Sequence, residues 1–269
     1  MPTIPRTDRH ALITGASSGI GAEIAREYAR RGKPLVLVAR RVERLDALAA
    51  ELRSRVDVQT IACDLADPGA PAALQAECAA RGLRVDTLVN NAGFGVPGRY
   101  LAKDWATHAA SLQVLLVAVC ELTYRFLPAM EAEGHGRVLN VASLAGLVPP
   151  TAGHTLYGPT KAFVIRFSET LAKEVLPKGV HVTALCPGMT YTEFHDVNGM
   201  RATVSKLPKG LWLDAATVAR LGVDAVESGK TRVVTGRANR LIAALSKYLP
   251  DALAGALIAS KAKDFRDEG

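Results

Sequence analysis

The fold class this sequence predicts is α/β: one doubly wound domain with a seven-stranded parallel sheet and helices on both faces. Three observations predict it. Short apolar, β-branched runs alternate with longer segments of helical period along most of the chain. A glycine-rich stretch, "TGASSGIGAEIAREYARRG" from Thr14 to Gly32, joins the first such run to the first helical pattern. No linker, repeat or low-complexity tract breaks the 269 residues, a length that one domain can carry.

The strands follow in order. They are "ALIT" ending at Thr14, "PLVLVAR" at Arg40, "DVQTIACDL" at Leu65, "DTLVNNA" at Ala92, "RVLNVAS" at Ser143, "VHVTALCPG" at Gly188 and "TRVVTG" at Gly236. Helical spacing predicts helices over 19–31, 42–54, 70–81, 104–133, 155–176 and 214–228, with Gly32, Gly82 and Gly179 placed as C-caps. The core thus spans about 10–236. An irregular segment at 189–212 is long enough to act as a lid, and the tail 237–269 reads as two short helices interrupted by Pro250.

Composition narrows the function classes. Apolar residues at 49% and charged residues at 22% fit an ordinary folded protein better than a disordered one. The start "MPTIPRTDRH" lacks the apolar core of a signal peptide, and no run reaches the roughly 18 uninterrupted apolar residues of a spanning helix, so a cytoplasmic location is expected. Cys63, Cys78, Cys120 and Cys186 form no CxxC pair and the histidines no HExxH spacing; free thiols and no bound metal are expected. The net charge of +7 is spread along the chain, which favours anionic ligands over nucleic acid. In the tail, Arg237, Arg240, Lys247, Lys261 and Lys263 flank an apolar face, which leaves peripheral membrane contact as a minor alternative to packing on the pocket or a neighbouring subunit.

The glycines ask what approaches the backbone so closely. At a strand-to-helix turn they free amide N–H groups to meet a pyrophosphate, whose charge the helix N-terminus favours. At the end of the second strand, where dinucleotide sites read the ribose, stand Ala39, Arg40 and Arg41; a guanidinium grips a 2′-phosphate bidentately, which points to NADPH, with Arg40 the expected binder. In "YGPTK", Tyr157 and Lys161 lie four apart on one helix face, so the ammonium is expected to lower the phenol pKa from its ordinary ~10 and make it a proton shuttle.

The ordered set TGxxxGxG, Asp-Leu at 64–65, "NNAG" from Asn90 to Gly93, Ser143, YxxxK and "CPGMTYTEF" resembles the short-chain dehydrogenase/reductase family over roughly residues 10–236. The resemblance implies a Rossmann-type domain, NADP(H), and reversible reduction of a carbonyl, with Tyr157 as acid/base, Lys161 as its tuner and ribose anchor, and Ser143 on the carbonyl oxygen. It assigns Gly15, Ser17, Ser18, Gly19, Ile20, Gly21, Asp64, Leu65, Asn90, Ala92, Gly93, Pro187, Gly188, Thr190 and Thr192, with Arg40 and Arg41, to the cofactor. Gln113 falls where the family carries a relay asparagine. Phe94, Leu144, His154, Met189, Phe194 and Trp212 outline a lipophilic substrate pocket. Family habit implies a homodimer or homotetramer packed through the long fourth and fifth helices.

The sequence departs from the family at Gln113, in the one-residue-longer Ser143 to Tyr157 spacing, and at Pro159, which requires a helix starting with its N-cap near Thr155. A rival reading, an NADPH-binding regulator that has lost catalysis, rests on Gln113 alone.

Overall fold

The structure, a computed structural model, describes residues 8–150, 152–153, 155–192 and 209–248. Seven parallel strands form one sheet: β1 (His10–Thr14), β2 (Leu35–Ala39), β3 (Val58–Ala62), β4 (Val85–Asn90), β5 (Gly136–Val141), β6 (Val180–Cys186) and β9 (Arg232–Val234). Their order is β3-β2-β1-β4-β5-β6-β9, so the winding reverses between β1 and β4 and opens a crevice at their carboxyl ends.

Alternation along each strand fills both faces. Ala11, Ile13, Leu35 and Leu37 meet Ile24 and Tyr28 of α1 (Gly19–Arg30), Leu45 of α2 (Val42–Leu52), and Val218 and Val223 of α7 (Ala215–Glu227). Leu12, Val36, Val138 and Val182 point the other way, to Leu74 of α3 (Ala70–Ala80), Leu122 and Phe126 of α5 (Ala118–Ala132), and Val175 of α6 (Tyr157–Val175). A last helix, α8 (Arg237–Tyr248), follows β9.

Three features differ from the sequence expectations. The helix expected over 104–133 is interrupted: α4 (Trp105–Leu112) passes through a π turn at Gln113–Val117, where the Ala118 amide donates to the Gln113 carbonyl, before α5 begins. This helix, Trp105–Ala132, is long and apolar enough to cross a bilayer by composition, but Val114, Leu122, Phe126 and Met130 lie in the core against the sheet. Helix α6 starts at Tyr157, with Leu156 at the N-cap position in helical dihedrals and without a capping bond, because its apolar side chain offers no acceptor. Pro159 is its third residue, where an amide would lack an intrahelical partner anyway. The ends of the expected lid are ordered as a parallel pair, β7 (Met189–Tyr191) with β8 (Trp212–Asp214), and Asp214 then caps α7 by accepting from the Thr217 amide at 2.7 Å.

Candidate active site

The crevice begins at the turn after β1. Gly15 and Gly19 have φ of +65° and +57°, conformations that a side chain resists. At Gly21 an added Cβ would run into the Asn91 side chain and stand 2.5 Å from the Gly15 carbonyl oxygen. The loop is therefore folded back on itself. Asn91 Nδ2 donates to the carbonyls of Thr14 at 2.9 Å and Gly15 at 3.2 Å, while Thr14 Oγ1 accepts from the Asn91 and Ala92 amides and donates to Val89. Thr14 and Asn91 were not among the expected site residues; their signal lay only in their adjacency to the glycine and NNAG motifs. Asn90 braces the sheet, donating to Asn140 at 2.8 Å and Thr123 at 3.2 Å.

This cradle fits a dinucleotide phosphate. The N-cap Ser18 makes no side-chain capping bond and the first turn of α1 holds no acidic residue, so the helix end offers its amides to an anion. Arg41 reaches into the same turn, 2.8 Å from Ser18 Oγ and 3.1 Å from Ser17 Oγ. Arg40, the expected phosphate binder, points elsewhere: it is 64% exposed and lies 3.7 Å from Asp64, which also accepts from the Ala66 amide at 3.0 Å. Ala39 closes β2 without a carboxylate. Leu65 is buried in the core, so only its backbone can face an adenine, and Ile20 packs on the opposite core cluster.

At the far end of the crevice β5 and α6 bring together the residues expected to be catalytic. Ser143 accepts from the Ala145 amide at 3.1 Å and hydrogen-bonds Tyr157. The close approach depends on Gly146: a Cβ there would lie 2.6 Å from the Ala162 amide nitrogen and 2.7 Å from the Lys161 carbonyl carbon. Lys161, buried, donates from Nζ to the Val141 carbonyl at 2.7 Å and sits 5.7 Å from the Tyr157 ring centroid.

The electrostatics correct one expectation. Burial raises the Tyr157 pKa above 10, with the Ser143 hydrogen bond only partly opposing it. Burial also pulls Lys161 down to about 8. Burial outweighs the depression expected from the lysine, because desolvation disfavours the charged form of both groups.

The remaining expected residues fall into place unevenly. Pro187 is buried and its carbonyl accepts from the Leu144 amide at 2.8 Å. Gly188 is bare because Asn239 of α8 packs onto it; Asn239 in turn donates to the Thr235 carbonyl at 2.9 Å. Thr190 is buried with its hydroxyl on the Gly188 carbonyl, whereas Thr192 lies across the crevice, its Cβ 3.2 Å from where a Gly19 side chain would begin. Gln113 opens the π turn, its buried Nε2 without a partner among the described residues, and Leu115 of the same turn presses on Gly93. Of the expected pocket residues, Phe94, Leu144 and Met189 are half-buried, and Trp212 stacks on Tyr191 with ring centroids 4.6 Å apart. His154 and Phe194 lie outside the described residues, as do most of the expected lid and the tail beyond Tyr248. Among the described residues no cluster of metal-ligating side chains occurs.

A family model for short chain dehydrogenase matches residues 9–201. The sulfoacetaldehyde reductase of Chromohalobacter salexigens is 40% identical over 188 residues, covering 68% of this chain and 73% of its own. A short-chain dehydrogenase from Sphingobium yanoikuyae in complex with NADPH superposes with a TM-score of 0.79 at 32% identity, over 97% of this chain and 98% of that one. The bulky-bulky ketone specific alcohol dehydrogenase from Comamonas testosteroni does so with a TM-score of 0.74 at 28% identity, over 97% and 96%.

Proposed function

The chain belongs to the short-chain dehydrogenase family, and from that premise we propose that it is an NADPH-dependent reductase of lipophilic ketones or aldehydes. The observation that carries this reading is the meeting of half-buried Ser143 and Tyr157 with buried Lys161 at the end of a crevice whose other end holds Arg41 against the glycine turn. Bound NADPH supplies the hydride.

The rest is the work of this chain's own side chains. Arg41, with Ser17 and Ser18, takes the 2′-phosphate, and Arg40 flanks the adenine side with Asp64. Ser143 donates to the carbonyl oxygen as negative charge develops there. Tyr157, protonated at neutral pH as an ordinary phenol is, hands its phenolic proton to the same oxygen and leaves the product an alcohol. Lys161 holds a positive charge beside the resulting phenolate, and Gln113, on the π turn that packs on α6, belongs to the relay that returns a proton.

The half-buried Phe94, Leu144 and Met189 support an apolar pocket. NADPH in the Sphingobium structure and the bulky ketones named for the Comamonas enzyme agree with this cofactor and substrate class. We place the protein in the cytoplasm, as an oligomer of two or four chains. Trp105 at 64% exposure and Tyr124 at 78%, on α4 and α5, support packing through these helices, and light scattering on Tyr124→Arg tests it: an unchanged mass removes this face from the interface. The function is tested by NADPH absorbance loss against ketones graded by size and apolarity, with NADH in parallel. Turnover that rises with apolar bulk and prefers NADPH is expected; silence across the series with NADPH still bound would favour the regulator.

A further inference from the structure

Beside Tyr157 lies a small cavity whose polar walls the reduction does not use. It is bounded by Val96, Tyr100, His108, Ser111, Thr155 and Tyr157, with room for about one water-sized group. Its chemistry is set by His108, on α4 and 6% exposed. The Nε2 of this ring stands 2.8 Å from the Tyr100 carbonyl oxygen. A carbonyl can only accept, so Nε2 carries the hydrogen, and in that tautomer Nδ1 presents a lone pair as an acceptor. That Nδ1 is buried with no partner among the described residues. The Tyr100 ring, 4.9 Å from the imidazole, fixes its orientation from the side. Ser111, three positions further along the same helix face and 4% exposed, adds a hydroxyl to the same wall.

A buried acceptor without a donor is costly, and a ligand group that supplies the donor is favoured over one that does not. The cavity's size admits a hydroxyl and excludes a ring. A carboxylate or sulfonate would bring acceptor oxygens to an acceptor nitrogen. Because Tyr157 belongs to both the cavity wall and the catalytic set, a group seated there is attached close to the carbonyl that Tyr157 protonates.

We propose that this cavity is a substrate subsite for a hydroxyl near the reacting carbonyl, with His108 accepting its hydrogen and Ser111 beside it, so that the preferred substrates are hydroxy-carbonyl compounds. The inference rests on the carbonyl-reductase reading and narrows it.

Matched ketones of one skeleton, bearing at the position next to the carbonyl a hydroxyl, a hydrogen or a carboxylate, test it by kcat/KM with NADPH. The hydroxylated member is expected to exceed the plain one by at least about tenfold, and the carboxylate to fall below it. In His108→Leu the preference should shrink towards unity, with Ser111→Ala giving a smaller shrinkage in the same sense. Melting temperature and NADPH binding establish that each variant is folded, and the wild-type ratio decides the matter if His108→Leu is not. Turnover of plain ketones without a hydroxyl preference, or a preference that survives both substitutions, overturns the subsite alone. Absence of turnover throughout the series, with NADPH bound, overturns the carbonyl-reductase reading and the subsite with it.

Discussion

The two ends of the crevice are built by different means. At the cofactor end, the turn after β1 is shaped by backbone: positive φ at Gly15 and Gly19, a space at Gly21 filled by Asn91 and the Gly15 carbonyl, and main-chain bonds from Thr14. At the end proposed to take substrate, side chains from separate elements meet: Ser143 after β5, Tyr157 and Lys161 on α6, His108 on α4. A backbone device has to be spelled by glycines at fixed spacing. A side-chain constellation needs only the right residue at each of several distant positions.

That difference can be broken or sharpened by experiment, beginning with the largest effect. Gly21→Ala forces a Cβ onto the Gly15 carbonyl and should cost about 3 kcal/mol of stability and abolish NADPH binding. Gly146→Ala strains the contact with α6 by a similar amount, but it acts at the other end: turnover should be lost while NADPH still binds. Thermal melts with NADPH titrations separate the two. Equal loss of binding in both would show that the ends are one rigid unit.

Next comes the choice of arginine. Arg41→Ala should weaken NADPH binding roughly tenfold to hundredfold, as expected for a charge-assisted contact, and leave NADH nearly unchanged. Arg40→Ala, at an exposed side chain facing Asp64, should do less. Calorimetric titration checks both, and the reverse order would restore the expectation drawn from sequence.

The smallest effect is in pH. Reduction requires Lys161 charged and Tyr157 protonated, that is, pH below about 8 for the lysine and below the raised value of the tyrosine. The kcat/KM for reduction should therefore be flat through neutrality and fall severalfold as pH rises through about 8, while oxidation gains. Lys161→Arg should move that limb upward. A limb that stays in place assigns it to another group.

The same difference explains what was legible in the sequence. The strands, their parallel order and the glycine turn followed from apolar alternation and from the glycine spacing. Tyr157 and Lys161 stood out through the YxxxK spacing, and Ser143 through its place at the end of an expected strand, both read with the family resemblance. Arg40 and Arg41 stand side by side in the sequence with Arg40 the expected binder, yet which arginine turns inward depends on the path of the chain into α2, and no local pattern encodes it. The depressed phenol pKa failed for a related reason: the expectation placed a cation nearby but not the burial, set by distant elements, that raises the phenol. His108 and Gly146 carried no signal, since their partners lie in other elements.

The central claim, that Tyr157 is the proton donor of a carbonyl reduction, is tested most directly by Tyr157→Phe, comparing NADPH dissociation constant and turnover with the unaltered protein. An unchanged dissociation constant with turnover reduced by about 10²–10⁴-fold is the predicted result. Turnover that persists at the original rate with a phenyl ring in place of the phenol would contradict it.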